Sequence, residues 1–161
     1  MAMSIQTESI YELIDDQSLS TLDWGRLLSD ILNAFDCTTG TIHTYDAATD
    51  LLLIKAYQGI PEFLLPKMSQ IPVGKGMAGI AAQRREPVQI CNLQTDESGV
   101  ARPSAKDTKV EGSLTAPLLY LNTLYGTLGI AKPVPYEFSN EEIAVLMDIC
   151  THLARKIADA K

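Results

Sequence analysis

The sequence predicts an α+β fold around an antiparallel sheet, and three observations carry that prediction. Two pairs of β-rich segments, 40–45 with 51–57 and 113–121 with 124–131, are each joined by a short polar turn. That is the pattern of hairpins, not of repeated strand–helix–strand units. An amphipathic helix is expected near each end of the chain. Between the pairs lie short helical pieces and a polar segment, residues 92–112, with no hydrophobic period. A loop of that length inside one domain is usually functional or mobile.

Residues 1–17 hold few periodic apolar positions and read as a loosely ordered lead or a short helix, which leaves 18–161 as a single domain. Ser20 stands three residues before Asp23, a helix start signal, and Leu28, Ile31, Leu32 and Phe35 follow at helical spacing. Thr38-Thr39-Gly40 should stop that helix near Asp36. The first strand is β-branched and aromatic, and the second, from Leu51, is almost continuously apolar. Glu62 to Met68 reads as a short helical piece, and Ile71-Pro72-Val73 as a lead into a glycine cluster. Met77 to Arg85 is helical until Pro87 ends it, and Val88 to Cys91 is a short strand. Phe138-Ser139 with Glu142-Ile143 gives a capping box flanked by apolar residues, and Ile143, Leu146, Met147, Cys150, Leu153, Ala154 and Ile157 line one helical face. The terminal helices must cover one side of the sheet or each other. The other side is left to the short helices and the long loop, where a pocket would lie.

Composition narrows the function. With 20 acidic against 13 basic residues the net charge is −7, and the basic residues are scattered, which disfavours nucleic acid as a partner. No apolar run is long enough to span a membrane. The polar, acidic start lacks the pattern of a secretory signal, so a cytoplasmic location is expected. Cys37, Cys91 and Cys150 lie far apart, matching neither a disulfide framework nor a zinc site, and no metal is expected.

Gly74-Lys75-Gly76-Met77-Ala78-Gly79 matches G-x-G-x-x-G literally. The dinucleotide reading needs a buried parallel strand before the motif, and here the preceding stretch is short and contains Pro72. A tight turn into a closely packed helix is the favoured account, although the amides at that helix start would still suit an anionic ligand. No nucleophile motif of the G-x-S-x-G kind is present. His43 shares a strand face with Thr41 and Tyr45, and its readings are a half-buried structural histidine or a ligand contact. Cys91, beside the long loop, is the one thiol expected near a pocket, whereas Cys150 reads as packing.

Taken in order, Leu52-x-Ile54-x-Ala56-x-x-Gly59, Ile71 to Ala82 around the glycine cluster, Glu86-Pro87-Val88, Ala116-Pro117-Leu118, Gly126-x-Leu128-Gly129 and Phe138-Ser139-x-Glu141-Glu142 resemble a GAF domain over residues 18–160. The resemblance implies a GAF/PAS-like sheet of about six antiparallel strands, N- and C-terminal helices on one face, and a pocket on the other made by short helices and the long loop. It also implies dimerisation through the terminal helices. Thr41, Tyr57, Gln58 and Ala78 occupy what look like the ligand contacts of cyclic-nucleotide-binding members, with Met77 beside Ala78. The Asn-Lys…Phe…Asp-Glu signature of that class is broken, with Ala131-Lys132 in place of Asn-Lys and Ser139-Asn140 intervening before Glu141. The three cysteines of the family's free methionine sulfoxide reductase correspond to Met68, Ala78 and Arg102, so that chemistry is not expected. No cysteine has the setting of a bilin attachment site, and a haem would have His43 alone. The cofactor is left unassigned.

The expected function is thus a non-catalytic sensor that binds a small molecule or mediates homodimerisation. The candidate contacts are Thr41, His43, Tyr57, Gln58, Met77, Ala78 and Cys91, with Asn92, Ser104 and Lys109 from the loop. Two alternatives stay open: a thiol-based redox protein using Cys91, and a ligand-free dimerisation module.

Overall fold

The first predicted hairpin is β1 (Thr39–Asp46) with β2 (Leu51–Gln58), and the second is β5 (Gly112–Tyr120) with β6 (Thr123–Lys132). The structure, a computed structural model, describes residues 5–98, 100 and 109–161. The second hairpin turns through Leu121 and Asn122, both at positive φ, as a tight two-residue turn between right-twisted strands requires. β1 and β6 pair with each other, which fuses the hairpins. β3 (Gln70–Pro72) and β4 (Val88–Ile90) form the edges, giving the order β3-β2-β1-β6-β5-β4 with every pair antiparallel. The strand at 70–72 was not foreseen, because Pro72 argues against one. An edge position tolerates it, since the missing N–H faces no neighbour.

Three helices cover one face: α1 (Glu8–Asp16), α2 (Trp24–Ala34) and α5 (Asn140–Asp159). Their Ile14, Leu28, Leu32, Leu146, Ile149 and Leu153 share one buried cluster with Ile42, Leu114, Leu118 and Leu128 of the strands. Of the two readings of the lead, the short helix is the one present over residues 8–16. Ile10, Leu13 and Ile14 are buried, and the Tyr11 hydroxyl donates to Asp148 of α5 at 2.5 Å. Three apolar residues within barely more than one turn are too few to show a period in the sequence. The start of α2 is also later than expected. Asp23, not Ser20, is its N-cap, and the Asp23 carboxylate accepts from the Arg26 amide at 3.0 Å. The capping box of α5 forms as predicted, with Ser139 Oγ accepting from Glu142 N and Glu142 Oε1 accepting from Ser139 N.

The opposite face carries α3 (Leu65–Met68) and α4 (Gly76–Arg84), together with the described ends of the long loop. Strand alternation assigns residues to faces. Ile42, Leu114 and Leu128 point into the helix-covered core, and their neighbours Thr41, Thr115 and Gly129 point the other way.

Candidate functional site

The glycine cluster builds one wall. Gly74 donates its amide to the Gly79 carbonyl at 2.8 Å, folding the chain back as α4 begins. A Cβ on Gly79 would lie 2.4 Å from the Pro72 carbonyl oxygen, so the helix sits on the turn closer than any side chain allows. The motif is the tight turn into a packed helix that the sequence favoured, and it lays the first residues of α4, Gly76, Met77 and Ala78, against the sheet.

Beneath the site the sheet runs in three rows of directly paired residues. Ser113, Ala131 and Thr39 form the first, and Thr115, Gly129, Thr41 and Tyr57 the second. Pro117, Thr127, His43 and Ile54 form the third. Gly129 is the gap in the middle. A Cβ there would lie 3.3 Å from the Thr115 hydroxyl and 3.5 Å from that of Thr41. Above this gap is a partly open cavity of about 110 Å³, walled by Ile60, Met68, Ile71, Met77, Ala78, Leu93 and Val110. The hydroxyls of Thr39, Thr41, Ser113 and Thr115 line it, and no hydrogen bond within the described residues engages them. A more open groove of about 610 Å³ lies on the helix side near Trp24 and Tyr125.

His43 lines the cavity and is 1 % exposed. Its Nε2 lies 2.8 Å from the Met68 carbonyl oxygen, and since a carbonyl can only accept, Nε2 carries the proton. Nδ1 is then an acceptor, buried and without a partner among the described residues. Burial holds the imidazole below its ordinary value of 6.5, outweighing the Met68 carbonyl, which pulls the other way. The ring is neutral at physiological pH. Lys67 is the one charged side chain among the described lining residues, and it is exposed.

Of the residues expected at a site, Thr41, His43, Met77 and Ala78 line this cavity. Tyr57 shares a row with Thr41 but is 51 % exposed on the far side and falls outside the lining. Gln58 is on the other face, opposite Gly40, whose absent Cβ would meet Leu32 and Leu28 of α2. Side chains of adjacent strand residues point to opposite faces. Cys91 is exposed and stands outside the lining, its carbonyl accepting from Tyr136 N at 2.9 Å. The Asn92 side chain is spent on a local turn, accepting from Gln94 N at 3.1 Å. Lys109 is exposed at φ +63, and its neighbour Val110 lines the cavity instead. Ser104 and Arg102 lie outside the described residues. The sequence reading missed Thr39, Ser113, Thr115 and Gly129. The signal was there in Ser113-Leu114-Thr115-Ala116, hydroxyls alternating with apolar residues on a strand.

The thiols are placed away from this chemistry. Cys37 and Cys150 are buried on the helix side, and burial pushes the Cys37 thiol up to about 12 and the Cys150 thiol higher still. Met68 and Ala78, two of the positions that the reductase resemblance marks for cysteine, do line the cavity and bring no sulfhydryl to it. No group of His, Cys, Asp or Glu among the described residues is arranged to hold a metal ion. No helix among them is long and apolar enough to cross a membrane.

Comparison with known proteins agrees with this architecture. The GAF domain of a phosphoenolpyruvate-protein phosphotransferase from Coxiella burnetii superposes with a TM-score of 0.78 at 22% identity, over 94% of this chain and 92% of that one. The GAF domain of the same kind of enzyme from Acinetobacter gives 0.78 at 20% identity, over 99% and 96%. Free methionine-R-sulfoxide reductase from Neisseria meningitidis, with its substrate, gives 0.78 at 15% identity, over 94% and 85%. At these identities the likeness is one of fold. No curated protein sequence matches the chain. The sequence model of the GAF domain matches residues 25–158, nearly the whole of the described structure, and the chain belongs to the GAF domain family.

Proposed function

We propose that this chain is a non-catalytic sensor domain that holds a small molecule in the cavity above Gly129 and reports its presence through the helices on the opposite face. The observation that carries the reading is the hollow itself, floored by hydroxyls that no hydrogen bond among the described residues engages and bordered by a buried neutral imidazole. Polar groups placed this way around an apolar hollow are the usual composition of a ligand site. The route to the helices is short. Thr41 faces the cavity and Ile42, the next residue, packs in the cluster with α1, α2 and α5. A ligand that moves β1 therefore bears directly on the helix layer.

The three free cysteines support a reducing, cytoplasmic setting. Self-association with a second copy belongs to the reading as well. The apolar stripe of α5 is not its interface, however, because Leu146, Ile149, Leu153 and Ile157 are used up inside the chain. Contact would use the outer faces of the terminal helices, and light scattering reports it.

Amide chemical-shift mapping with a fragment mixture tests the site. Binders are expected to move Thr41, Ala78, Thr115 and Gly129 first. If every binder leaves these four amides unmoved, the cavity is not the site.

A further inference from the structure

We infer that the cavity selects an uncharged ligand of about five or six non-hydrogen atoms, with an apolar body and a head that both donates and accepts hydrogen bonds, such as a small carboxamide. The inference rests on the reading that the cavity takes a ligand at all, and it concerns which chemistry is admitted.

Size sets the first limit, on the part of a ligand held above Gly129. The volume of about 110 Å³ is somewhat below the ~150 Å³ apolar cavity that accepts benzene. Charge sets the second. Moving an ion into a largely apolar space is strongly unfavourable unless a counter-charge meets it. Among the described lining residues the one cation is Lys67, exposed to water, and there is no carboxylate. Hydrogen-bond polarity sets the third. Thr41 and Thr115 offer hydroxyls on either side of the Gly129 gap, each able to give or take a proton. His43 Nδ1 is sealed behind the wall and does not reach a ligand, so the two threonine hydroxyls carry the polar contact. A carboxylate could only accept from them, and would bring its charge with it. An amide accepts from one through its carbonyl oxygen and donates to the other through its N–H₂, with no charge to bury.

Isobutyramide and isobutyrate are the matched probes, nearly identical in shape and different in charge. Titration of the whole chain near neutral pH, followed by amide shifts and thermal unfolding, is expected to show isobutyramide binding in the millimolar range and isobutyrate about tenfold or more weaker, the ratio that 1.4 kcal/mol represents. Gly129→Val, which puts a side chain into the gap, is expected to abolish the response. The pair Thr41→Val and Thr115→Val keeps the shape, removes the hydroxyls, and is expected to weaken isobutyramide at least fivefold. It carries the test should the Gly129 variant fail to fold. Isobutyrate binding as tightly as the amide, with the response lost in Gly129→Val, overturns the inference and leaves the cavity as the site. A response unchanged in both variants overturns the cavity reading itself. Binding of neither probe at tens of millimolar also overturns the inference.

Discussion

Lys132, the last residue of β6, donates from its ammonium to the carbonyl oxygen of Phe35 at 2.7 Å, which ties the central sheet to the end of α2. The Asp36 carbonyl accepts from the same group at 3.0 Å, and the Tyr136 ring lies 4.5 Å away on another side. A cation here meets the negative end of the helix and two carbonyls left without helical partners. This lysine stands where the cyclic-nucleotide signature also has one, and it is committed to a helix terminus on the core side. Lys132→Met keeps most of the packing, leaves the Asp36 carbonyl unpaired and leaves the Phe35 carbonyl with only the weak Cys37 thiol donor at 3.6 Å. The expected loss is about 2–4 kcal/mol, read from the midpoint of urea unfolding, with the fold retained.

The capping box of α5 is largely exposed, so its value is local. Removing the Ser139 hydroxyl frees the Glu142 amide and unhinges the Glu142 carboxylate from the Ser139 amide. Ser139→Ala is expected to cost about 1 kcal/mol, a fall of roughly 2–4 °C in Tm for a chain of this size. A fall several times larger would mean that the first turn of α5 anchors more than itself.

Thiol titration separates the redox alternative from the sensor reading. Cys91 is exposed, and Cys37 and Cys150 are buried, with burial pushing both thiols up. One thiol per chain is expected to react with an aromatic disulfide reagent in the native state and three in denaturant. Cys91→Ser is expected to remove the native reaction and leave probe binding intact, because Cys91 stands outside the cavity. Loss of binding in that variant would restore the thiol to the site.

The layering was legible because hairpins and the α5 stripe are written in local periods, 2 and 3.6, that no distant contact overrides. The site was half legible. Thr41 and His43 could be assigned to one face because β1 alternates cleanly. In β2 the register slips, so that Ile42 faces Ala56 and His43 faces Ile54, leaving Lys55 as an extra residue. A bulge of that kind moves side chains to new faces without changing composition. The roles of Gly129 and Thr115 depend on β5 and β6 lying beside β1, a pairing across most of the chain that no local pattern records. Lys109 and Asn92 were chosen for polarity, and it was the apolar neighbours Val110 and Leu93 that turned inward.

His43 makes stability depend on pH in a direction that can be worked out. Burial lowers its folded-state value below the ordinary 6.5, so the unfolded chain takes up the proton first as the solution is acidified. Between 6.5 and the lower folded value the unfolded state binds more protons, and stability rises with pH there. The contribution is fully present above that window and is lost as pH falls through it, with a slope of at most about 1.4 kcal/mol per pH unit for one group. Glu142 acts lower on the scale. Burial pushes its carboxyl up, but the Ser139 amide and the Tyr136 hydroxyl hold it below 4.5, so its share is lost only under more acid conditions. Urea unfolding between pH 7 and 5 therefore reports the histidine. His43→Gln, a neutral side chain with an amide able to donate to Met68, is expected to flatten that slope. A wild-type curve already flat across the interval would mean that His43 is not held buried and uncharged beside the cavity.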